Sequence, residues 1–189
     1  MTSARTVPVR GEPTSDAKLL ARISEGDIAS LGFLYDRYAA ALVRYASRFD
    51  RSDAEDVVQT VFMRVLRIAQ SYRPEAQSAR PWLFAITARV LQERSRAVRR
   101  FGRAMFHLAN DPKKAAGSGA EARHDLERGL ARLPRTKSIV LLLNEVEGFS
   151  CDEIAAMLEI PIGTVWTRLH HARRELRRYY HEEDDHDSR

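Results

Sequence analysis

The sequence predicts an all-α protein made of two small helical domains joined by a flexible linker, with a helix-turn-helix in the second domain. Apolar residues recur at spacings of three and four along most of the chain, and no alternating apolar and polar run persists between turn signals. Residues 102–120 lose this period and are rich in Gly, Pro, Ser, Asn and Asp, the composition of a linker. The predicted order is a disordered tail at 1–15, a first domain at 16–101, the linker at 102–120, a second domain at 121–180 and an acidic tail at 181–189.

Four helices are predicted in the first domain, and the first two are read from turn signals and apolar spacing. Asp16 to Ser24 forms a short helix that stops at Gly26. The second helix places one apolar stripe in the core, namely Leu31, Leu34, Tyr35, Tyr38, Leu42, Tyr45 and Phe49.

The third helix, at residues 52–69, is predicted most strongly. Ser52 and Glu55 have the spacing of a capping box, in which two side chains satisfy free N–H groups of the first turn. Its apolar row is Ala54, Val57, Val58, Val61, Phe62, Val65, Leu66 and Ala69. Pro81 is the first-turn proline of the fourth helix, whose core residues are Leu83, Ile86, Val90 and, less firmly, Trp82.

The second domain begins with Leu126, Leu130 and Leu133, and Pro134 precedes its next helix. That helix ends before Gly148, which we expect directly beyond the helix cap, and its apolar face is Ile139, Val140, Leu142, Leu143 and Val146. Ser150 and Glu153 repeat the capping-box spacing at a helix that points Ile154, Ala155 and Leu158 inward. A basic helix follows after a tight turn, with an apolar row of Val165, Leu169, Ala172 and Leu176. Two short helices in this order predict a helix-turn-helix.

Composition and charge narrow the classes of function. The chain of 189 residues carries 31 Lys and Arg against 26 Asp and Glu, a net charge of +5, which favours a polyanionic partner. Its longest strongly apolar run, residues 139–143, is far shorter than the roughly 20 residues that span a bilayer. The N-terminus has no apolar stretch of signal-peptide length, and a lone Cys151 fits a reducing compartment. We therefore expect a cytoplasmic protein without membrane insertion.

Enzymatic chemistry is not indicated. The sequence shows no Gly-rich phosphate loop, paired catalytic carboxylates or nucleophile motif, so we expect no enzyme and no cofactor. His170 and His171 are adjacent and point in different directions on a helix, which makes them poor metal ligands. Redox sensing by Cys151 is a minor alternative, because Asp152 and Glu153 oppose a thiolate.

The basic helix is a candidate for binding DNA in the major groove. Candidate base or near-base contacts are Thr164, Trp166, Thr167, His170 and Arg174, and candidate phosphate contacts are Arg168, Arg173, Arg177 and Arg178. The alternative is a solvated charged face. Trp166 either touches a thymine methyl or covers the turn between the two helices. The acidic tail is expected to be a solubilising, disordered end, with mimicry of DNA against the neighbouring arginines as the alternative.

Two further surfaces are predicted in the first domain. A second basic concentration comprises Arg89, Arg94, Arg96, Arg99, Arg100 and Arg103, with a solvated helix end as the alternative. Opposite the apolar row of the third helix lies a mixed face, which could dock a protein, formed by Asp56, Gln59, Met63 and Arg67.

Five segments together resemble the extracytoplasmic-function sigma factors, the two-domain bacterial initiation factors. They are "DIASLGFLYDRYAAALVRYASRF", "AEDVVQTVFMRVL", "PWLFAITARV", "LARLPRTKSIVLLLNEVEGFSCDEIAAML" and "IPIGTVWTRLHHARRELR", in order over most of the chain. The chain departs from the family pattern at three places. Val90, followed by "LQERSR", replaces the usual Asn and the Asp- and Arg-bearing segment of the fourth helix, which bears on −10 recognition. Glu159 replaces the usual Gly at the turn of the helix pair, so a slightly reshaped turn is expected. Trp166 and Thr167 replace a common Lys-Ser, so an unusual −35 preference is expected.

The resemblance implies a role for each surface. The first domain would dock on the β′ clamp helices of core RNA polymerase through Asp56, Gln59 and Met63. It would also recognise and open the −10 promoter element and hold a flipped base in a pocket among residues 71–80. The residues expected to contact the −10 element are Tyr72, Arg80, Trp82, Arg89, Arg94 and Arg96. The second domain would meet the β flap and read the −35 element through Thr164, Trp166, Thr167, Arg168, His170, His171 and Arg174. An anti-sigma factor is the expected inhibitor.

An autonomous helix-turn-helix repressor or activator, whose N-terminal helices dimerise or sense a signal, is the alternative function. It would bind a palindrome tightly without polymerase, whereas a sigma factor acts only with the core enzyme.

Overall fold

The structure is a computed structural model of the 189-residue chain and describes residues 15–73, 78–106 and 128–187, with only the backbone at 99, 101–106 and 181–187. Every regular element in these ranges is helical, which confirms the predicted fold class. The helices are α1 Asp16–Ser24, α2 Ile28–Ser47, α3 Ala54–Ile68, α4 Arg80–Phe106, α5 Arg135–Glu145, α6 Cys151–Leu158 and α7 Ile162–Asp187. Residues 128–132 add a helical turn before α5, and none of these helices is long and apolar enough to cross a bilayer.

Helices α1 and α2 follow the predicted pattern with one exception. The first helix has the predicted bounds, and Gly26, with φ of 93°, turns the chain into α2. Leu34, Leu42 and Tyr45 are buried. Tyr35 was predicted in the core but is 46% exposed, because it lies about 100° round the helix from Leu34 and reaches the edge of the domain, where its ring packs at a tilt against Phe62.

The capping box predicted at the start of α3 is wrong. Asp53 is the N-cap residue, without a side-chain cap bond, so Glu55 lies one position too early to be the third helical residue. The Ser52 hydroxyl instead donates a hydrogen bond to the carboxylate of Asp50 at 2.7 Å. The predicted apolar row is correct for Val57, Val58, Val61, Phe62 and Val65, which α3 buries. Leu66 was also predicted in this row but is exposed.

The buried carboxylate of Asp16 joins three parts of the first domain. Asp16 is 4% exposed and accepts hydrogen bonds from the Arg37 guanidinium and the Tyr38 hydroxyl of α2. It also accepts one from the backbone N–H of Ala79 at 2.6 Å, one residue before α4. Because the N-terminal end of a helix carries partial positive charge, a carboxylate is stable there. The start of α4 is therefore set by a residue 63 positions earlier.

Helix α4 buries Leu83, Ile86 and Val90 as predicted and leaves Trp82 half-buried. It continues to Phe106, so the first five residues of the predicted linker are helical rather than irregular. Residues 102–106 contain no Pro, and the single Gly102 does not end the helix. The rest of the predicted linker, the N-terminal tail to residue 14 and Leu126 lie outside the described residues.

Helix α5 supplies the centre of the second domain, where Ile139 and Leu143 are fully buried. Val146 was predicted in this core but is 46% exposed, because α5 ends at Glu145 and the chain then turns away. Gly148, with φ of 75°, is the second residue beyond the Val146 cap rather than the first.

Helices α6 and α7 form the predicted helix-turn-helix. Their first helix has the predicted capping box: the Ser150 N–H donates to Glu153 at 2.8 Å and the Glu153 N–H donates to the Ser150 hydroxyl at 3.2 Å. This bonding lowers the pKa of the Glu153 carboxyl. Ile154 is buried, while Ala155 and Leu158 are half-buried against the core.

Helix α7 buries Val165, Leu169 and Ala172, with Leu176 partly buried, as predicted. The acidic tail was predicted to be disordered, but α7 continues through it to Asp187. The buried ring of Tyr179 anchors the helix shortly before the tail, and the tail contains no Gly or Pro to stop it.

Replacing Asp16 should destabilise the protein strongly. Asp16→Ala leaves the buried N–H of Ala79 without its acceptor, and we expect the free energy of unfolding to fall by about 3 kcal/mol in urea denaturation. The control Asp36→Ala removes an exposed carboxylate of α2 and should change it by less than about 0.5 kcal/mol. Equal effects of the two substitutions would contradict the role of Asp16.

Glycine at position 159 should stabilise the second domain. Glu159 has φ of 54° and ψ of 46°, a left-handed conformation that disfavours a side chain. Glu159→Gly should raise the free energy of unfolding by about 0.5–1 kcal/mol, measured by thermal denaturation. Glu159→Ala keeps the Cβ and should give no gain, so an equal gain would refute the steric explanation.

Candidate nucleic-acid and protein interfaces

The N-terminal half of α7 presents most of the predicted −35 residues to solvent. Trp166 is 58% exposed, and Thr167, His170 and Arg174 are exposed beside it, whereas Thr164 and His171 are partly buried. The Thr167 hydroxyl donates to the carbonyl of Gly163 at 2.7 Å, and an Arg174 nitrogen lies 3.2 Å from Nδ1 of His171. More than half of the Trp166 surface is therefore exposed to solvent, next to the other exposed residues of α7.

The other arginines of α7 differ in their surroundings. Arg177 and Arg178 are exposed, and Arg168 is partly buried, which lowers the pKa of its guanidinium. Arg173 donates from Nε to the carboxylate of Glu145 at 2.8 Å and from a terminal nitrogen to Asn144 at 3.1 Å. Arg173 is thus bound to the end of α5.

Two of the predicted −10 residues contact the second domain. Arg80 donates to the backbone carbonyl of Glu147 at 2.9 Å and to its carboxylate at 2.8 Å. The Arg80 guanidinium also lies 4.4 Å from the ring centroid of Phe149 and 4.9 Å from that of Phe84. Arg89 donates to the carboxylate of Glu159 at 2.6 Å. The two domains therefore meet along α4.

The remaining predicted −10 residues have three kinds of surroundings: one arginine is ion-paired, one is exposed, and two aromatic rings pack on each other. Arg94 pairs with Asp53 at the start of α3 and donates to the Thr60 hydroxyl at 3.2 Å, while Arg96 is exposed. Tyr72 and Trp82 are half-buried and pack edge to face, with ring centroids 5.5 Å apart. Burial, with the Asp16 carboxylate, raises the pKa of Tyr72. Residues 74–77 of the predicted base pocket lie outside the described part of the chain.

The exposed face of α3 is mixed in chemistry, as predicted. Asp56, Gln59 and Met63 are exposed along it, and Met63 is 52% exposed. Tyr35 and Leu66, which the sequence assigned to the core, add apolar area at the surface. The Tyr35 ring reaches this helix through Phe62, with ring centroids 4.9 Å apart.

Sequence reasoning missed the two glutamates that hold the arginines of α4. Glu147 and Glu159 lie 67 and 70 residues from their partners, and no local pattern pairs residues across such distances. Among the described residues, no cluster of His, Cys, Asp and Glu could hold a metal ion. The rings of His170 and His171 lie 5.6 Å apart in an edge arrangement.

Comparison with known proteins gives matches in both domains. Residues 34–101 match the family Sigma-70 region 2, and residues 123–176 match the family Sigma-70, region 4. The chain is 32% identical over 180 residues to the ECF RNA polymerase sigma factor SigE of Mycolicibacterium smegmatis, covering 89% of this chain and 68% of that protein. It is 27% identical over 182 residues to the ECF RNA polymerase sigma-E factor of Escherichia coli strain K12, covering 87% and 94%.

Solved structures show the same fold. CnrH, solved in complex with the cytosolic domain of CnrY, aligns with a TM-score of 0.63 and 23% identity, covering 88% of this chain and 97% of that chain. RpoE of Bartonella quintana, solved in complex with the anti-sigma factor NepR, aligns with a TM-score of 0.62 and 24% identity, covering 77% and 93%. Together with the family matches and the sequence identities, the helix-turn-helix and the helical first domain show that the chain belongs to the extracytoplasmic-function family of RNA polymerase sigma factors, non-enzymatic initiation factors that direct promoter recognition.

Proposed function

We propose that this sigma factor reads the −35 element with the exposed N-terminal half of α7. A helix in the major groove brings its N-terminal side chains to base edges, while flanking arginines reach phosphates. The exposure of Trp166 beside Thr167, His170 and Arg174 is the observation that carries this assignment. Arg168, Arg177 and Arg178 extend the basic surface along the helix, with Thr164 and His171 at its edges.

The exposed face of α3 is the proposed docking site for the β′ clamp helices of core RNA polymerase. Asp56 and Gln59 offer hydrogen-bond acceptors, and Met63 and Leu66 offer apolar area next to Tyr35. Protein interfaces combine an apolar centre with a polar rim in this way. The second domain would contact the β flap.

The proposed −10 site lies at the start of α4 and along its basic face. Removing a base from the stack costs a few kcal/mol, which aromatic stacking and cationic walls can offset. The packed pair of Tyr72 and Trp82 provides aromatic faces at the start of α4. Arg89, Arg94 and Arg96 continue the cationic surface along the helix.

The proposed cellular setting follows from the family. The protein would act in the cytoplasm, where core polymerase and promoter DNA are found. An anti-sigma factor is a further proposed partner, as NepR is for RpoE of Bartonella quintana. Run-off transcription with purified bacterial core polymerase on a promoter library tests the whole proposal, and transcripts that appear without this protein as readily as with it would refute it.

Reversing a charge on α3 should weaken the binding of core polymerase and leave the folded structure unchanged. Asp56→Arg places a cation on the polar rim of the proposed docking face, and we expect the affinity for core polymerase to fall about tenfold or more, measured by fluorescence anisotropy of the labelled protein. The circular dichroism spectrum should not change. Glu25→Arg makes the same charge change at an exposed site after α1 and should retain binding; equal losses would place the docking site elsewhere.

Truncating the exposed tryptophan should weaken −35 binding without unfolding the domain. Trp166→Ala is expected to reduce affinity for a −35 duplex selected from random sequence by about tenfold, the size of one good base contact. Stability should change by less than about 0.5 kcal/mol because the ring is mostly exposed. Val146→Ala removes an exposed apolar side chain of the same domain that is not on α7. Loss of affinity in both variants would contradict a specific role for Trp166.

A further inference from the structure

A polar cavity lies between the end of α2 and the start of α5. Its volume is about 440 Å³, which is within the range of small-molecule sites in proteins. It is lined by residues 47–52 at the end of α2 and beyond, by Ser95 of α4, and by four residues between Leu130 and Arg135. No residue proposed above for promoter or polymerase contacts is among these lining residues, so the cavity has no role in the proposed function.

The charge of this cavity, which we call the arginine pocket, favours an anion. Its lining contains one carboxylate, that of Asp50, against three arginines, namely Arg48, Arg51 and Arg135. The Asp50 carboxylate accepts hydrogen bonds from the N–H of Ser52 at 3.0 Å and from its hydroxyl at 2.7 Å. The one acidic group is therefore bonded within its own turn, and an excess of positive charge remains on the walls of the pocket.

Arg48 is a cation of this pocket that lacks a protein partner. It is half-buried, and its guanidinium makes no hydrogen bond, ion pair or ring contact with any residue in the described part of the chain. Removing a charged group from water without a partner is unfavourable, and a guanidinium pairs best with a carboxylate or a phosphate. The N–H groups of Arg48 are therefore available to an anion.

Arg135 brings a second cation to the pocket at the first turn of α5. Its guanidinium lies 4.7 Å from the ring centroid of Phe49, which also lines the pocket. The N-cap residue of α5, Pro134, makes no side-chain cap bond. Because the N-terminal end of a helix carries partial positive charge, it adds to the attraction that Arg135 exerts on an anion.

A buried hydroxyl without a partner lies behind the Phe49 ring. Tyr45 is 1% exposed, and its ring packs edge to face on Phe49 with centroids 5.4 Å apart. Among the residues that the structure describes, none bonds the Tyr45 hydroxyl. Burial raises the pKa of Tyr45 well above its usual value, Glu147 raises it further and Arg135 opposes this rise. The hydroxyl is thus a protonated donor that, like Arg48, lacks an acceptor.

We propose that the arginine pocket binds a small anion with two or more linked phosphate groups, the chemistry that pyrophosphate shares with nucleoside polyphosphates. Phosphate oxygens are acceptors, and the pocket offers donors from Arg48, Arg135 and the Ser95 hydroxyl. A single phosphate would fill only a small part of the cavity and reach fewer of its arginines. The inference goes beyond the proposed function, because it does not depend on where promoter DNA or polymerase binds.

The test measures binding of sodium pyrophosphate to the full chain by isothermal titration calorimetry at about 50 mM salt, where screening is weak. Two variants change the pocket. Arg48→Gln removes a cation that has no protein partner, and Ser95→Phe fills the cavity without changing the charge. The matched controls, Arg22→Gln and Ala97→Phe, make the same changes at exposed positions that do not line the pocket. Circular dichroism and thermal melting check the folding of all four, and Arg48→Gln decides the test if Ser95→Phe lowers the melting temperature.

We expect each pocket variant to bind pyrophosphate at least about tenfold more weakly than its control. ATP without metal ions should also bind, adenosine should not, and orthophosphate should bind more weakly than pyrophosphate. Tighter binding of ATP than of pyrophosphate would identify a nucleotide as the ligand, and equal affinities would show that only the linked phosphates are recognised.

Three results would overturn the proposal. The first is no binding of pyrophosphate up to about 1 mM. The second is equal affinity in pocket variants and controls, which would mean attraction by net charge only. The third is an equal loss of affinity for a single-stranded DNA of about 20 nucleotides, which would make the pocket part of a nucleic-acid surface. Transcription with core polymerase tests the proposed function separately, so the failure of one leaves the other standing.

Discussion

The carboxylate of Asp16 is the interaction on which the first domain depends. It is buried, bonded to α2 through Arg37 and Tyr38, and bonded to the backbone N–H of Ala79 that precedes α4. A buried charge is tolerated only when it is paired and hydrogen-bonded, and these three contacts provide that pairing for Asp16. They determine where the 27-residue helix α4 begins and therefore the direction in which its side chains point.

Helix α4 in turn contacts both domains through different faces. Its apolar face packs into the first domain through Leu83 and Ile86. Another face carries Arg80 and Arg89 to the carboxylates of the second domain. The same cations cannot bind carboxylates and phosphates at once, so the ion pairs that join the domains and the contacts proposed for DNA compete for one set of donors. How the two domains are arranged therefore affects whether these arginines are available to promoter DNA.

Local rules predicted helices and their inward faces well. The capping box of Ser150 and Glu153 formed because the two residues are three apart and their bonds involve only one turn of backbone. The same spacing at Ser52 and Glu55 failed because the Asp50 carboxylate binds the Ser52 hydroxyl and the helix starts one residue later. Spacing identifies residues able to cap a helix, whereas competing acceptors decide whether they do.

By itself, the sequence determined the all-helical class, the helix-turn-helix, the family and the exposed mixed face of α3, since each depends on periodicity or on residues close together along the chain. Only the tertiary structure decided that Tyr35 lies at the surface and that Arg80 and Arg89 meet Glu147 and Glu159. Exposure depends on which helices cover a face, and ion pairs between residues about 70 positions apart depend on how two domains pack. Neither property produces a periodic residue pattern in the sequence.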